Sequence, residues 1–354
     1  MSAPAASLTK PRLDWIDTAR GLCIILVVLM HVEIGFEVEL EKASWLDPFI
    51  EWARPFRMPA FFMVSGVLGA GLISRGWREL LERRVLGFIY FYVLWLAIHC
   101  LLKFTTWGAG DLATLFSSFG HGVIQPFGLL WFIYLLAVFF LVTRALRAWP
   151  LALWLLAALL ALLPVATGST LIDQFAGRYV YFVTGVVCAP ALLALADWFD
   201  RNRGAAAMLW LVWAAGSAGV IAGLGSAALA GAPLVALALG LAGSIGLIAT
   251  AVLAAPRLCW VAFCGRQSLT IYLAFFIPMA LTRVLILRSG VEFDIGLTTL
   301  ALTALCVAFP LALHRAVQGT PLAFLFERPG NLRLAAVPAT SAVAGGEGGK
   351  NRGG

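Results

Sequence analysis

Apolar runs alternate with short polar connections along most of the chain, at 21–36, 56–73, 86–102, 127–142, 149–166, 179–195, 206–224, 233–254, 269–287 and 295–313. Most approach the ~20 residues that a helix needs to cross a hydrocarbon layer, the first and fourth being shorter. Backbone groups in lipid must be satisfied within the segment, so the pattern predicts an all-α polytopic membrane protein with about ten transmembrane helices. With the amino terminus placed in the cytoplasm, 18 of the 25 basic residues fall in inner connections and 7 in outer ones. That bias predicts both termini on the cytoplasmic side. Residues 1–12, with Lys10 and Arg12, read as a flexible tail, 13–315 as the transmembrane domain and 316–354 as a cytoplasmic tail. Beyond about 334 this tail is too poor in large apolar residues to bury a core, and disorder is expected. Neither a cleavable signal peptide nor a fused soluble domain is expected, which leaves any chemistry to the membrane bundle.

Composition narrows the class further. The 354 residues are 62% hydrophobic and 12% charged with a mean hydropathy of +0.94, which excludes an ordinary soluble domain. A net charge of +7 does not point to nucleic acid, because the basic residues cluster in connections and form no nucleic-acid module. Six cysteines show neither metal nor disulfide spacing and read as buried thiols, and no metal site is expected. The stretch 206–254 is nearly all Ala, Gly, Leu and Val, with Gly219 and Gly223 in a GxxxG pattern. It predicts a closely packed helix pair without chemistry.

Chemistry-bearing residues concentrate elsewhere. The first helix reads DWIDTARGLCIILVVLMHVEIGF and sets a histidine, His31, inside an apolar run, where an ionisable group is costly. Arg20 lies eleven positions earlier, three turns plus about 20°, so both side chains share one face at a separation of about 16 Å. Two readings of His31 stand: an interhelical hydrogen bonder, or a general base. Glu33 falls on the opposite face and does not orient it. The second helix enters as ARPFRMPAFFMVSG, with Arg57 against the apolar run, where it must snorkel or meet an anion. Ser65 lies at about the depth of His31, either in a common cavity or, with Gly66, in a small-residue packing patch. The connection SRGWRELLERR carries Arg75, Arg78, Arg83 and Arg84, which serve topology or hold a phosphate-rich donor such as coenzyme A. Trp131 in GLLWFIY and Tyr272 in GRQSLTIYLAFF are interface aromatics or line a substrate site. His99, His121 and His314 lack ligand spacing and read as structural.

DTARG followed by His31, MPAFFMVSG, WFIYLL and GRQSLTIYL together resemble the acyltransferase-3 family, integral-membrane O-acyltransferases that modify envelope glycans in bacteria. The resemblance covers about residues 12–315. It implies ten helices with both ends inside, His31 as catalytic base, Arg20 as a donor contact and Ser65 in the same site. Donor contacts are also expected of Arg84 and of the Arg75/Arg78 pair, and substrate contacts of Arg57, Trp131 and Tyr272. Two departures stand out: Gly87 follows Arg84 where a second basic residue is usual, and Phe275 occupies a position where many relatives have histidine. The expected function is transfer of an acyl group, acetyl first, from cytoplasmic acyl-coenzyme A to a hydroxyl of an envelope glycan or lipid-linked saccharide, in a bacterial inner membrane. The expected partners are the donor, that acceptor and the lipid bilayer, with no permanently bound cofactor. The alternatives are a carrier or flippase for an amphiphilic anion and, third, a structural scaffold.

Overall fold

The structure is a computed structural model that describes residues 14–107, 112–126, 128–225, 227–289 and 292–333. The tails expected at 1–12 and beyond 334 lie outside these residues. Among them the chain forms helices and no strand: α1 (Asp14–Leu40), α2 (Asp47–Ile73), α3 (Trp77–Leu80), α4 (Leu86–Trp107), α5 (Leu112–Ile124), α6 (Trp131–Ala145), α7 (Pro150–Leu162), α8 (Thr170–Val187), α9 (Ala189–Arg201), α10 (Arg203–Leu224), α11 (Pro233–Ala254), α12 (Cys259–Arg266), α13 (Ser268–Ala274), α14 (Phe276–Arg288) and α15 (Ile295–Val317). A π-helical turn, Leu81–Val85, joins α3 to α4. Among the described residues six spans are long and apolar enough to cross a membrane: α1, α2, Trp77–Leu102, α10, α11 and α15. Counting the bent pairs α8–α9 and α13–α14 as one crossing each gives eight. The difference from the ten predicted lies in α6 and α7, which have 15 and 13 residues and reach only about 20 Å.

Two of the expected helices, over 179–195 and 269–287, are each divided by a bend, and proline explains both. The 75° bend between α8 and α9 precedes Pro190, in the first turn of α9, where the missing N–H is tolerated. The 44° bend between α13 and α14 sits at Phe275, and the ring of Pro278 opposes the carbonyl of Ala274 four residues back. A separate short helix, α12, precedes α13.

Two glycine pairs set the central crossings. A Cβ on Gly21 would collide with the Val261 carbonyl of α12, and one on Gly265 with the Asp17 carbonyl of α1. Gly66 of α2 and Gly185 of α8 stand in the same relation to the carbonyls of Phe182 and Met63. Backbone is therefore in contact with backbone at both crossings, which fixes the residues beside them. Around the second crossing a buried aromatic wall forms, with Phe62 at 4.8 Å from Phe132 and 5.1 Å from Phe139 between ring centres. After α15 the chain returns to α4, where Tyr90 donates to the Phe324 carbonyl at 2.9 Å and Trp95 to the Leu325 carbonyl at 3.0 Å. Arg328 pairs with Glu82.

The α10–α11 pair does pack, but not through its GxxxG. A Cβ on Gly219 or Gly223 would meet nothing, whereas Trp213 of α10 fills the space over Gly246 of α11. Trp210 donates to Thr250 at 2.7 Å, and Ser217 accepts from Trp52 of α2 at 2.8 Å. Large side chains at helical spacing therefore carry the contact, and the small-residue face of α10 looks outward.

Candidate active site

The Gly21–Gly265 crossing brings the start of α13 against the amino-terminal part of α1, the inner end in the expected topology. Arg20 Nη2 donates to Ser268 Oγ at 2.9 Å, and its Nη1 lies 3.8 Å from Asp17, which Arg266 also approaches at 3.9 Å. Arg84 reaches the same place from the π-helical turn and is near enough to act on the charge of Arg20. A π turn adds a residue to the helical ladder and rotates the next turns of the helix, a device frequent at functional sites. No carboxylate pairs with Arg84 among the described residues. Arg20, Arg84, Ser65, Ser268 and Tyr272 line one cavity of about 100 Å³, walled by Phe61 and Phe132. Ser65 donates its proton to the Phe61 carbonyl at 2.8 Å and offers lone pairs to the cavity, while Tyr272 donates to the Leu129 carbonyl. Two guanidinium groups and a hydroxyl acceptor between aromatic walls suit an anion with an organic body.

Further along the same face of α1 lies His31. Its Nδ1 donates to the Val27 carbonyl at 2.7 Å, which fixes the ring and leaves Nε2 as the nitrogen with the lone pair. The edge of Phe275 meets the ring at 5.6 Å between centres, at the bend that Pro278 causes. His31 does not line the inner cavity. It belongs to an outer group in which Arg57, buried on α2, acts on it electrostatically and Arg178 of α8 lies over the Trp131 ring at 5.0 Å. Phe132 joins the two groups, packing on Tyr272 at 5.6 Å and on Trp131 at 6.3 Å.

A family model described as an acyltransferase domain matches residues 13–315. The chain belongs to the acyltransferase-3 family. It is 30% identical over 170 residues to the inner membrane protein YcfT of Escherichia coli, covering 42% of this chain and 47% of that one. To nodulation protein NolL of Sinorhizobium fredii it is 25% identical over 205 residues, covering 56% and 54%. The NolL of Mesorhizobium japonicum is 24% identical over 181 residues, covering 50% and 48%. In these matches the chain spans about half the length of each curated relative. No solved structure gives a significant match. A multi-pass membrane protein is what the long apolar helices and the family both describe.

Within this acyltransferase domain the residues singled out from sequence divide into three groups. Arg20, Arg84, Ser65 and Tyr272 meet at the inner cavity. His31, Arg57 and Trp131 form the outer group. Arg75 and Arg78 are exposed on the connection after α2, Arg75 bound to Glu79, and neither lines the cavity. Sequence reasoning passed over Ser268, one residue among several in GRQSLTIYL, and Arg178. The latter stands just before the apolar run that begins at 179, and a lone arginine against such a run is the same signal that singled out Arg57. Glu33, set aside because of its opposite face, is indeed turned away and accepts from Ser44.

Proposed function

We propose that the domain moves an acyl group, acetyl first, from cytoplasmic acyl-coenzyme A to a hydroxyl of an envelope glycan or lipid-linked saccharide in a bacterial inner membrane. In this reading α6 and α7 also cross, giving ten crossings with both termini inside. The observation that carries it is the sharing of one face of α1 by Arg20, in a cavity with Arg84, and His31, whose Nε2 is left free to accept a proton. The inner arginines hold the phosphates of the donor and direct its thioester outward. His31 Nε2 takes the proton of the acceptor hydroxyl as the oxygen bonds to the thioester carbonyl carbon. A positive group such as Arg57 offsets the charge on the resulting oxyanion. Collapse of the tetrahedral intermediate breaks the carbon–sulfur bond, and the departing thiolate receives from the imidazolium the proton that came from the acceptor hydroxyl. The ester product and free coenzyme A then leave on opposite sides. The protein supplies all the proton steps, and no cofactor enters them.

The test is His31→Gln, which keeps size and hydrogen-bonding capacity but not basicity. Label transferred from acetyl-coenzyme A to envelope glycan in membrane vesicles should fall ~10² to 10⁴-fold in a folded variant. Transfer at the parent rate would remove His31 from the mechanism. A parent protein that transfers no label across a panel of donors and acceptors, while vesicles accumulate an intact amphiphile, would be a carrier instead.

A further inference from the structure

The outer group, with two guanidinium groups, holds more positive charge than proton transfer at His31 and one developing oxyanion require. Arg57 is 7% exposed and its Nε has no partner among the described residues, its one hydrogen bond there being a long one from Nη1 to the Ile50 carbonyl at 3.5 Å. Arg178 has the ring of Trp131 beneath it and pairs with no carboxylate among the described residues. The two guanidinium groups are close enough to repel each other. Glu51, the carboxylate that acts on Arg57, is engaged by Arg54. Two neighbouring like charges withdrawn from water, one with a donor left over and its nearest carboxylate engaged by Arg54, are short of a counter-ion.

The inner cavity does not supply that counter-ion's site. Arg57, Phe61 and Ser65 follow one another at four-residue spacing on α2, and the last two line the inner cavity without Arg57. Arg57 therefore lies about 12 Å further out along the axis than Ser65, beyond the length of an acetyl group. Trp131 and Phe132 stand between the two places.

From these contacts we infer that Arg57 and Arg178, with Trp131 as a flat floor, bind an anionic group, a phosphate or carboxylate, of the molecule that His31 faces. Under the acyl-transfer reading that molecule is the acceptor, and the inference rests on that reading only for this name. Guanidinium forks would fix one end of the acceptor and so choose which hydroxyl is presented to Nε2. Neutral saccharides lacking the anion would be held without register.

The experiment uses the full chain in nanodiscs of phosphatidylcholine, which brings no net anionic lipid. Equilibrium dialysis follows inorganic pyrophosphate and methyl galacturonoside, with neutral methyl galactoside as the comparison. At least one anionic probe should bind saturably, and Arg57→Gln or Arg178→Gln should weaken it about tenfold or more. Arg57→Lys should retain part of the binding, and Gly219→Leu, on the outward face of α10, should leave it unchanged. The favoured probe tells phosphate from carboxylate. Arg178 is less buried than Arg57, so its variant decides the matter if Arg57→Gln fails to fold, as judged by a melting curve. Binding of both anions undiminished in folded Arg178→Gln and Arg57→Lys, or binding of neither anion to the parent, would overturn the site. Acetyl-coenzyme A binding is measured in parallel. If it is absent from every protein while the arginine dependence of the anion holds, acyl transfer falls and this site survives it.

Discussion

Glycine does opposite things in two parts of this molecule. At the crossings of α1 with α12 and of α2 with α8 it removes a side chain that two backbones leave no room for, and the site is built on either side of those contacts. In α10 the GxxxG pair faces outward, while Trp210, Trp213 and Ser217 of the same helix carry its packing. The glycines in close contact are on α11, where Gly246 lies under Trp213 of α10, Gly240 under Tyr181 of α8 and Gly243 under Phe56 of α2. A small residue thus marks a contact only when something large or a backbone stands opposite, and a sequence spacing does not say what stands opposite.

The largest expected effect is at the first crossing. Gly21→Leu or Gly265→Leu drives a side chain into a carbonyl that belongs to a helix and cannot rotate away. Overpacking against side chains costs about 1 to 3 kcal/mol, and against fixed backbone the loss should reach the upper end or exceed it. The variants should aggregate or melt well below the parent in detergent. A Gly265→Leu protein that melts with the parent and keeps donor binding would mean that α1 and α12 are not in contact.

A smaller loss is expected at the second crossing. Gly66→Ala adds one methyl group against the Phe182 carbonyl, so α2 and α8 must part slightly. We expect destabilisation of about 1 to 2 kcal/mol, with acyl-transfer rate falling further than stability because Ser65 and Arg178 flank the contact. Equal melting curves and equal rates would disconnect that crossing from the site.

Ser268→Ala tests what the first crossing positions. Arg20 would lose its neutral partner and keep only Asp17, which it shares with Arg266. KM for acetyl-coenzyme A should rise about fivefold with little change in kcat, in keeping with ~1 kcal/mol for one hydrogen bond in a binding contact. An unchanged KM would leave Ser268 as packing alone.

Much of this was legible in the chain. Periodicity and length gave the helices, because lipid leaves the backbone few alternatives. The angular arithmetic between Arg20 and His31 placed both on one face, because it depends on a single helix. What failed to show were relations between helices. Nothing in residues 269–287 announces that Pro278 bends the chain at Phe275 and so sets that ring against His31. Arg84 enters the cavity through a π turn that a regular helical count does not reproduce. Arg75 and Arg78 had the spacing of an anion site, yet their connection leaves them exposed, a property of where α2 ends and not of the spacing.

The smallest effect should come from Gly219→Leu with Gly223→Leu in α10. Both added side chains would enter open space beside a helix that packs through its other face. Replacing glycine within a helix also lowers the entropy of the unfolded chain and favours helix by up to ~1 kcal/mol per site, and lipid is as good a neighbour for leucine as for glycine. Stability should therefore stay level or rise slightly, and donor affinity should not move. The double variant also examines whether this face is covered in the membrane. Were it a contact between two copies of the chain, leucine would hold the backbones apart and the oligomer would dissociate in mild detergent, with a lower melting temperature for both changes together than for either alone. A melt equal to or above the parent's, with the same elution volume, fits a face that touches only lipid.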